Sequence, residues 1–280
     1  MPDFRVVSYN ILCSSLAPAD RFRNCKPENL DAAVRLPRIL LKMEQEESRV
    51  EKEAIICLQE VGKFWSKELE SFFQKRGYNY IHSGYGEAYN DFMYVDGLLP
   101  AVPADIECPW EVSRKRKNTC IFLRLYHMPC VFWDQRVMVI HSALAARHVQ
   151  SLSGADPYVF AGDFNIQPQS AAYRLLTSGR LEASHPDFPP DRAGDSWAPQ
   201  LEERMESVYS SFHGSEPDFT NYAQIFEDPP FIETIDYIFC RPGMKVVGCL
   251  PLPRRQEVSG PLPNDQEPSD HIMIGADFNI

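Results

Sequence analysis

The chain reads as an α/β fold, and three observations predict it. Short apolar runs of strand length recur along the sequence and are bounded by polar residues or by Gly and Pro. Segments with helical spacing lie between them. The two kinds alternate from one end of the chain to the other, which is the pattern of a mixed α/β domain. Phe4 to Tyr9 is the first strand, followed by Asn10, and Ala54 to Leu58 is the second, followed by Gln59-Glu60. In Phe64 to Arg76 the apolar residues Trp65, Leu69, Phe72 and Phe73 fall at i, i+4, i+7 and i+8, one face of a helix, with Gly77 placed to cap it. Tyr78 to Ile81 is a strand, and so is Cys120 to Leu125. Gln135 to Ser151 has helical spacing at Val137, Ile140 and Leu144, and His141 within it reads as a packing residue. Tyr158 to Ala161 is a strand and Ser170 to Leu176 a short helix. Ile235 to Cys240 and Ile272 to Ile274 complete the strands. Residues 184–200 and 250–269 are loops by their proline content, but the pattern resumes beyond each, so 1–280 is read as one domain. Arg114-Lys115-Arg116-Lys117 reads as a solvated loop.

With 280 residues, such a domain buries about 75% of its unfolded surface and needs no covalent staple. Hydrophobic residues make up 44% and charged residues 24%, which excludes disordered, collagenous and coiled-coil classes. The 28 basic and 39 acidic residues give a net charge of −11. A long basic track for nucleic acid is therefore excluded; a polyanion would have to be met locally, for example through a divalent cation. The eight cysteines include no Cys-x-x-Cys pair and several lie within apolar runs, as expected of buried free thiols. Met1 to Val7 is not a signal peptide, and no apolar run reaches the roughly 20 residues of a membrane span. The expectation is a cytoplasmic or nuclear protein without membrane association.

The informative residues are polar ones at strand ends. Asn10, Glu60, Asp163 with Asn165, Asp236, and Asp270 with His271 all interrupt or flank apolar runs. Ligands collect at the carboxyl ends of strands in open α/β sheets, and oxygen side chains gathered there can hold a hard cation. Each residue alone has a plainer reading. Asn10 can be a turn former, Gly162-Asp163-Phe164-Asn165 an Asx turn, and Ser269-Asp270-His271 a polar strand start. Asp236, between Ile235 and Tyr237, is expected to be buried and therefore paired.

Taken in order, Ser8-Tyr9-Asn10-Ile11-Leu12, Leu58-Gln59-Glu60-Val61, Gly162-Asp163-Phe164-Asn165, Ile235-Asp236-Tyr237-Ile238 and Ser269-Asp270-His271 resemble the endonuclease/exonuclease/phosphatase superfamily. Phe219-Thr220-Asn221-Tyr222 and the prolines before Ser269 resemble its deadenylase branch: the carbon catabolite repressor nucleases, nocturnin, angel and the 2′-phosphodiesterase. The resemblance implies a deoxyribonuclease-like four-layer fold, two β-sheets in a sandwich flanked by helices. It also implies a Mg²⁺-dependent (or Mn²⁺-dependent) phosphodiesterase acting on RNA or a nucleotide, as a 3′→5′ exoribonuclease preferring poly(A). By the same resemblance Glu60 is the principal metal ligand, with Asn10 and Asp270 beside it. Asp163 orients or deprotonates the attacking water, Asn165 holds the phosphate, and Asp236 orients His271, which donates to the phosphate. His127 resembles a phosphate-contacting histidine that ends another strand. Phe231 resembles the aromatic that stacks on a base, and Asn221 is a further substrate-binding residue.

One departure is visible. Cys120 to Leu125 runs directly into Tyr126-His127, so one strand and its turn are expected to be missing near 125–127. Residues 86–119 match the branch poorly, with Asp96-Gly97 the one echo. Two alternatives stay open: a phosphatase or phosphodiesterase acting on a small nucleotide, and a catalytically impaired, shortened chain serving as an interaction module. No adaptor region for a larger deadenylase assembly is visible, and a monomer is expected. The second Asp-Phe-Asn, at 277–279, is read as coincidence.

Overall fold

A computed structural model of the chain describes residues 3–48, 54–81, 83–84, 97–103, 112–116, 119–190 and 197–279. Among these residues seven strands form one mixed sheet. Its main path runs β13 (Lys245–Cys249), β14 (Ile274–Asn279), β1 (Phe4–Asn10), β2 (Ala54–Gln59), β5 (Gly97–Pro103) and β3 (Tyr78–Tyr80), and β4 (Ser83–Gly84) pairs with β5. A second sheet runs β6 (Val112–Arg116), β7 (Thr119–His127), β8 (Tyr158–Asp163), β12 (Asp236–Cys240) and β9 (Glu206–Ser207). A hairpin of β10 (Asn221–Ala223) and β11 (Phe231–Glu233) stands apart. The helices are α1 (Pro27–Leu30), α2 (Ala32–Ser48), α3 (Ser66–Gln74), α4 (Gln135–Ser153), α5 (Ala171–Ser178) and α6 (Val208–His213). None of them is long and apolar enough to cross a membrane.

The two-residue period of the central strands divides the core into layers. Phe4 and Val6 of β1 and Ile55 and Cys57 of β2 meet Leu123 and Leu125 of β7, Val159 and Ala161 of β8, and Ile238 and Cys240 of β12. That is the seam between the two sheets. The alternate residues point outward. Val7, Tyr9, Ile56 and Leu58 pack against helices α2 and α3. Tyr158, Phe160, Tyr237 and Phe239 pack against α4 and α5. Strands apolar on both faces are what a sheet covered on both sides requires. The order is helix, sheet, sheet, helix, as the resemblance implied. Burial of free Cys13, Cys25, Cys57 and Cys240 accords with the reading of the thiols, while Cys130 is exposed.

Strand β7 continues unbroken through Leu125 to His127 with no turn before the histidine, in keeping with the direct run seen in the sequence, and β6 pairs antiparallel along it. Other local expectations are revised. The basic run expected as a loop is β-strand through Arg116, paired antiparallel with β7, while Lys117 lies outside the described residues. Helix α4 buries Met138, Val139, Ser142, Ala143, Ala146 and Val149, leaving Leu144 exposed. Small residues let that face approach the sheet closely, so the large apolar residues were a poor guide to its inner side. The last strand begins at Ile274 rather than Ile272. Asp277 in it pairs with Arg5 at 2.7 Å, which gives the second Asp-Phe-Asn a structural role.

Candidate active site

Strands β1 and β2 run parallel, as do β7 and β8, and the two pairs end at the same side of the sandwich. Strands β12 and β14 run antiparallel to their neighbours, so they bring their beginnings to that side. Asn10, Glu60, His127, Asp163, Asp236 and His271 meet there.

The Asn10 side-chain amide is the joint between the sheets. Its Nδ2 donates to Glu60 Oε1 at 2.9 Å and to Asp163 Oδ2 at 3.0 Å. Its Oδ1 accepts from the Leu12 amide at 3.0 Å, which settles which end of the group faces the carboxylates. Glu60 Oε2 accepts from the Cys13 amide at 3.0 Å. Glu60 and Leu12 have φ of +57° and +52°, left-handed conformations that cost energy in a residue with a Cβ. These bends turn Glu60 off the end of β2 toward Asn10.

Asp163 ends β8. Its Oδ1 accepts from the Asn165 amide at 2.9 Å, so the Asx turn is real, and its Oδ2 is the atom presented to Asn10. Asn165, with φ of +50°, donates from Nδ2 to Met128 O at 2.8 Å and ties this loop to the one leaving His127. Gly162 is required by the close approach of β7: a Cβ there would lie 1.8 Å from Tyr126 O. Its φ of +148° adds a second reason for glycine.

His271 Nδ1 lies 2.8 Å from Asp236 Oδ2, and both residues are buried. Thr220 Oγ1 donates to the same oxygen at 2.7 Å and accepts from the Ile235 and Asp236 amides, each at 3.0 Å. The Asp236 carboxylate is thus fixed as an acceptor, and Nδ1 carries a proton. His271 Nε2 then faces Asp163 Oδ2 at 3.7 Å, with His127 Nε2 at 3.6 Å from that same oxygen. Burial opposes charge on His271, but Asp236, Asp163 and Asp270 outweigh it and hold the imidazolium well above the usual histidine range. Burial and the Asp236 charge push the Asp163 carboxyl up; the two imidazoles and the Asn10 amide work against them. Burial also raises Asp270, opposed by His271 and reinforced by Glu60.

Among the described residues two groups of side chains bring ligand atoms within 4.8 Å of one another: Glu60, His127 and Asp163, and Asp163, Asp236 and His271. The second is already compensated by its protonated imidazole. The first holds two carboxylates bridged only by a neutral amide, and such an oxygen-rich set fits a divalent cation. Asp270 is buried behind this edge; Ser269 Oγ donates to Asn10 O at 2.7 Å and holds its segment in place, but the Asp270 carboxyl joins neither group. Asn221 is buried on β10, and its backbone forms a bridge with His271. Phe231 lies outside the buried cluster, 42% exposed on β11. Thr220 was visible in sequence only as part of the Phe-Thr-Asn-Tyr segment, and nothing local signalled its bond to a carboxylate 16 residues on.

A family model described as "Endonuclease/Exonuclease/phosphatase family" matches residues 7–271. Among curated proteins, "Carbon catabolite repressor protein 4 homolog 4" of Arabidopsis thaliana is 39% identical over 126 residues, covering 44% of this chain and 27% of that protein. "2',5'-phosphodiesterase 12" of Bos taurus is 26% identical over 98% of this chain and 51% of its own length. The chain thus corresponds to about half or less of these relatives. Among solved structures, ANGEL2 with adenosine-2',3'-vanadate superposes with a TM-score of 0.77 at 22% identity, covering 98% of this chain and 95% of that one. The human nocturnin catalytic domain gives 0.64 at 19% identity, with 99% and 93% covered. At these identities the likeness is one of fold.

Proposed function

Since the chain belongs to the endonuclease/exonuclease/phosphatase family, we propose that it is a divalent-metal-dependent phosphodiesterase, specifically a 3′→5′ exoribonuclease that prefers poly(A). One observation carries the reading. The hydrogen-bonded chain Thr220–Asp236–His271 faces Asp163, and the Asn10 amide joins Asp163 to Glu60 across the two sheets. Two imidazoles face the same Asp163 oxygen, at 3.6 and 3.7 Å, and a hydrolytic site can use such a set to hold a cation, take a proton from water and donate one to the substrate.

Glu60 would hold Mg²⁺ or Mn²⁺, with Asn10 and Asp163 alongside and Asp270 adding negative charge behind. When bound, the cation neutralises charge at the scissile phosphate, the main demand of phosphoryl transfer. The protein's own groups divide the rest. Asp163, whose proton affinity is raised by burial, accepts the proton of the attacking water. His271, kept protonated and held by Asp236 at Nδ1, turns Nε2–H toward the phosphoryl oxygen as charge builds there. His127 offers a second imidazole from the opposite side, and Asn165 fixes the loop between them while placing its amide near the phosphate. Phe231 stacks on the terminal base, and Asn221 contacts the same nucleotide.

The chain's similarity to a 2′,5′-phosphodiesterase extends over 98% of its length, which favours a 2′,5′-phosphodiester as a second substrate class. Purified protein is to be incubated with Mg²⁺ and 5′-labelled poly(A), mixed-sequence RNA, a 2′,5′-linked oligonucleotide, duplex DNA or a small nucleotide, alongside Glu60→Ala and Asp163→Ala. Stepwise shortening of poly(A) from its 3′ end is the expected result. Preference for the 2′,5′ linkage would replace the substrate, and no metal-dependent turnover on any substrate would leave an interaction module.

A further inference from the structure

Arg35 is the largest side chain in the described structure with no exposure to solvent. Its position on α2 is one where the next turns of the helix bury Ile39 and Met43, so an apolar residue would fill the place without removing a charge from water. Among the described residues the bonds it makes go only to main-chain oxygens. Nη2 donates to Ile11 O at 2.5 Å and Leu12 O at 2.6 Å, and Nε to Pro268 O at 2.6 Å. Its guanidinium carbon lies 5.1 Å over the Trp65 ring, and Nη1 is buried without a hydrogen-bond partner among the described residues. Among the described residues no carboxylate forms an ion pair or hydrogen bond with it.

The carbonyls it gathers belong to the two segments that build the acidic side of the site. Leu12 N positions the Asn10 amide, and Cys13 N positions Glu60. Pro268 lies two residues before Asp270, and Ser269 between them bonds back to Asn10 O. The fixed fork of a guanidinium can join carbonyls from two chain segments in one plane, which the single point charge of an ammonium cannot do. We propose that Arg35 is a positioning residue for divalent-cation binding: it locks the loop after β1 to the segment before Asp270 and so sets the spacing of Asn10, Glu60 and Asp270. This rests on the metal-dependent reading above.

The test is Mn²⁺ binding, followed by electron paramagnetic resonance of the free ion, in wild type, Arg35→Lys, Arg35→Gln and the control Arg241→Lys. Arg241 likewise donates to two carbonyls (Asp156 and Gly154), and in addition to the Glu203 carboxylate, but it follows the end of β12 opposite Asp236. Circular dichroism establishes folding. Both Arg35 variants are expected to bind Mn²⁺ about 10- to 100-fold more weakly, as when the groups that orient metal ligands are removed. Arg241→Lys should match wild type. The two Arg35 variants separate geometry from charge, since Lys keeps the charge and Gln removes a repulsion toward the cation. Affinity within twofold of wild type in folded Arg35→Lys, or tighter binding by Arg35→Gln, would overturn the proposal. Failure of both to fold, with or without Mn²⁺, would assign Arg35 to stability alone and overturn it too. If wild type itself binds no Mn²⁺, the failure lies with the metal-dependent reading.

Discussion

Asp236 of the buried cluster follows Phe231 of the hairpin by five residues, yet the two regions obey different rules. Asp163, Asp236 and His271 are 2%, 3% and 4% exposed, and each is held by named donors or acceptors. Phe231 and Phe226 are 42% and 46% exposed, and Arg23 lies 5.7 Å over the Phe226 ring. A buried charge must be satisfied by the protein itself, so its partners are fixed before any substrate arrives. An exposed ring costs the fold little and is free to be chosen for what it binds. Chemistry and specificity are thereby separable: the cluster should govern kcat, and the hairpin KM.

The largest effect expected is in the cluster. Asp163→Asn keeps the shape but cannot take a proton, and kcat should fall about 10³- to 10⁴-fold with KM nearly unchanged. Single-turnover rates on a labelled substrate measure this, and retention of a tenth of the activity would break the division. Next comes Asp236→Asn, which withdraws the charge that holds His271; a loss of about 10²- to 10³-fold in kcat is expected. A change confined to KM would move Asp236 out of the chemistry. On the hairpin, Phe231→Ala should raise KM about tenfold with kcat intact, the worth of one stacked base. An equal loss in kcat would show that the ring also aligns the phosphate.

The smallest effect separates the two regions by pH. His271 has its folded pKa raised above its unfolded value. Its contribution to stability is therefore fully present below the unfolded value and is lost as pH rises through the folded one. In EDTA, wild type should melt a few degrees above His271→Asn near about pH 6, the gap narrowing through the alkaline range. Phe231→Ala should show no such slope. A gap that widens with pH would mean that the imidazole is held neutral.

The same division explains what could be read from sequence. Strands β2, β8 and β12 are apolar on both faces, and β1 is so apart from Arg5 and Ser8, so their runs are readable and stop where a polar residue must meet the site. Hence Asn10, Glu60, Asp163 and Asp236 were legible together with their strands. His271 was found by its motif, but its strand was begun too early because Ile272 and Met273 continue the apolar pattern before β14 starts. The inward face of α4 was misjudged because Ser142, Ala143 and Ala146 bury through small size rather than hydrophobicity. The Thr220 bond to Asp236 and the Arg35 bonds to Ile11, Leu12 and Pro268 were out of reach. They join segments by folding alone, and no local spacing encodes them.

Glu60 and Asn165 hold left-handed backbones although each carries a Cβ, and Glu60 also brings a charge beside Asp163 and Asp270. These positions are therefore ones where the fold works against itself. A lineage released from selection for turnover could replace them with glycine, trading the side-chain bonds to the Cys13 amide and to Met128 O for relief of backbone strain and of like-charge repulsion. Their persistence across a set of descendants is thus a record of use. In a panel of natural variants the two positions should be the first to drift wherever the activity has been abandoned, well before the apolar seam between the sheets begins to change.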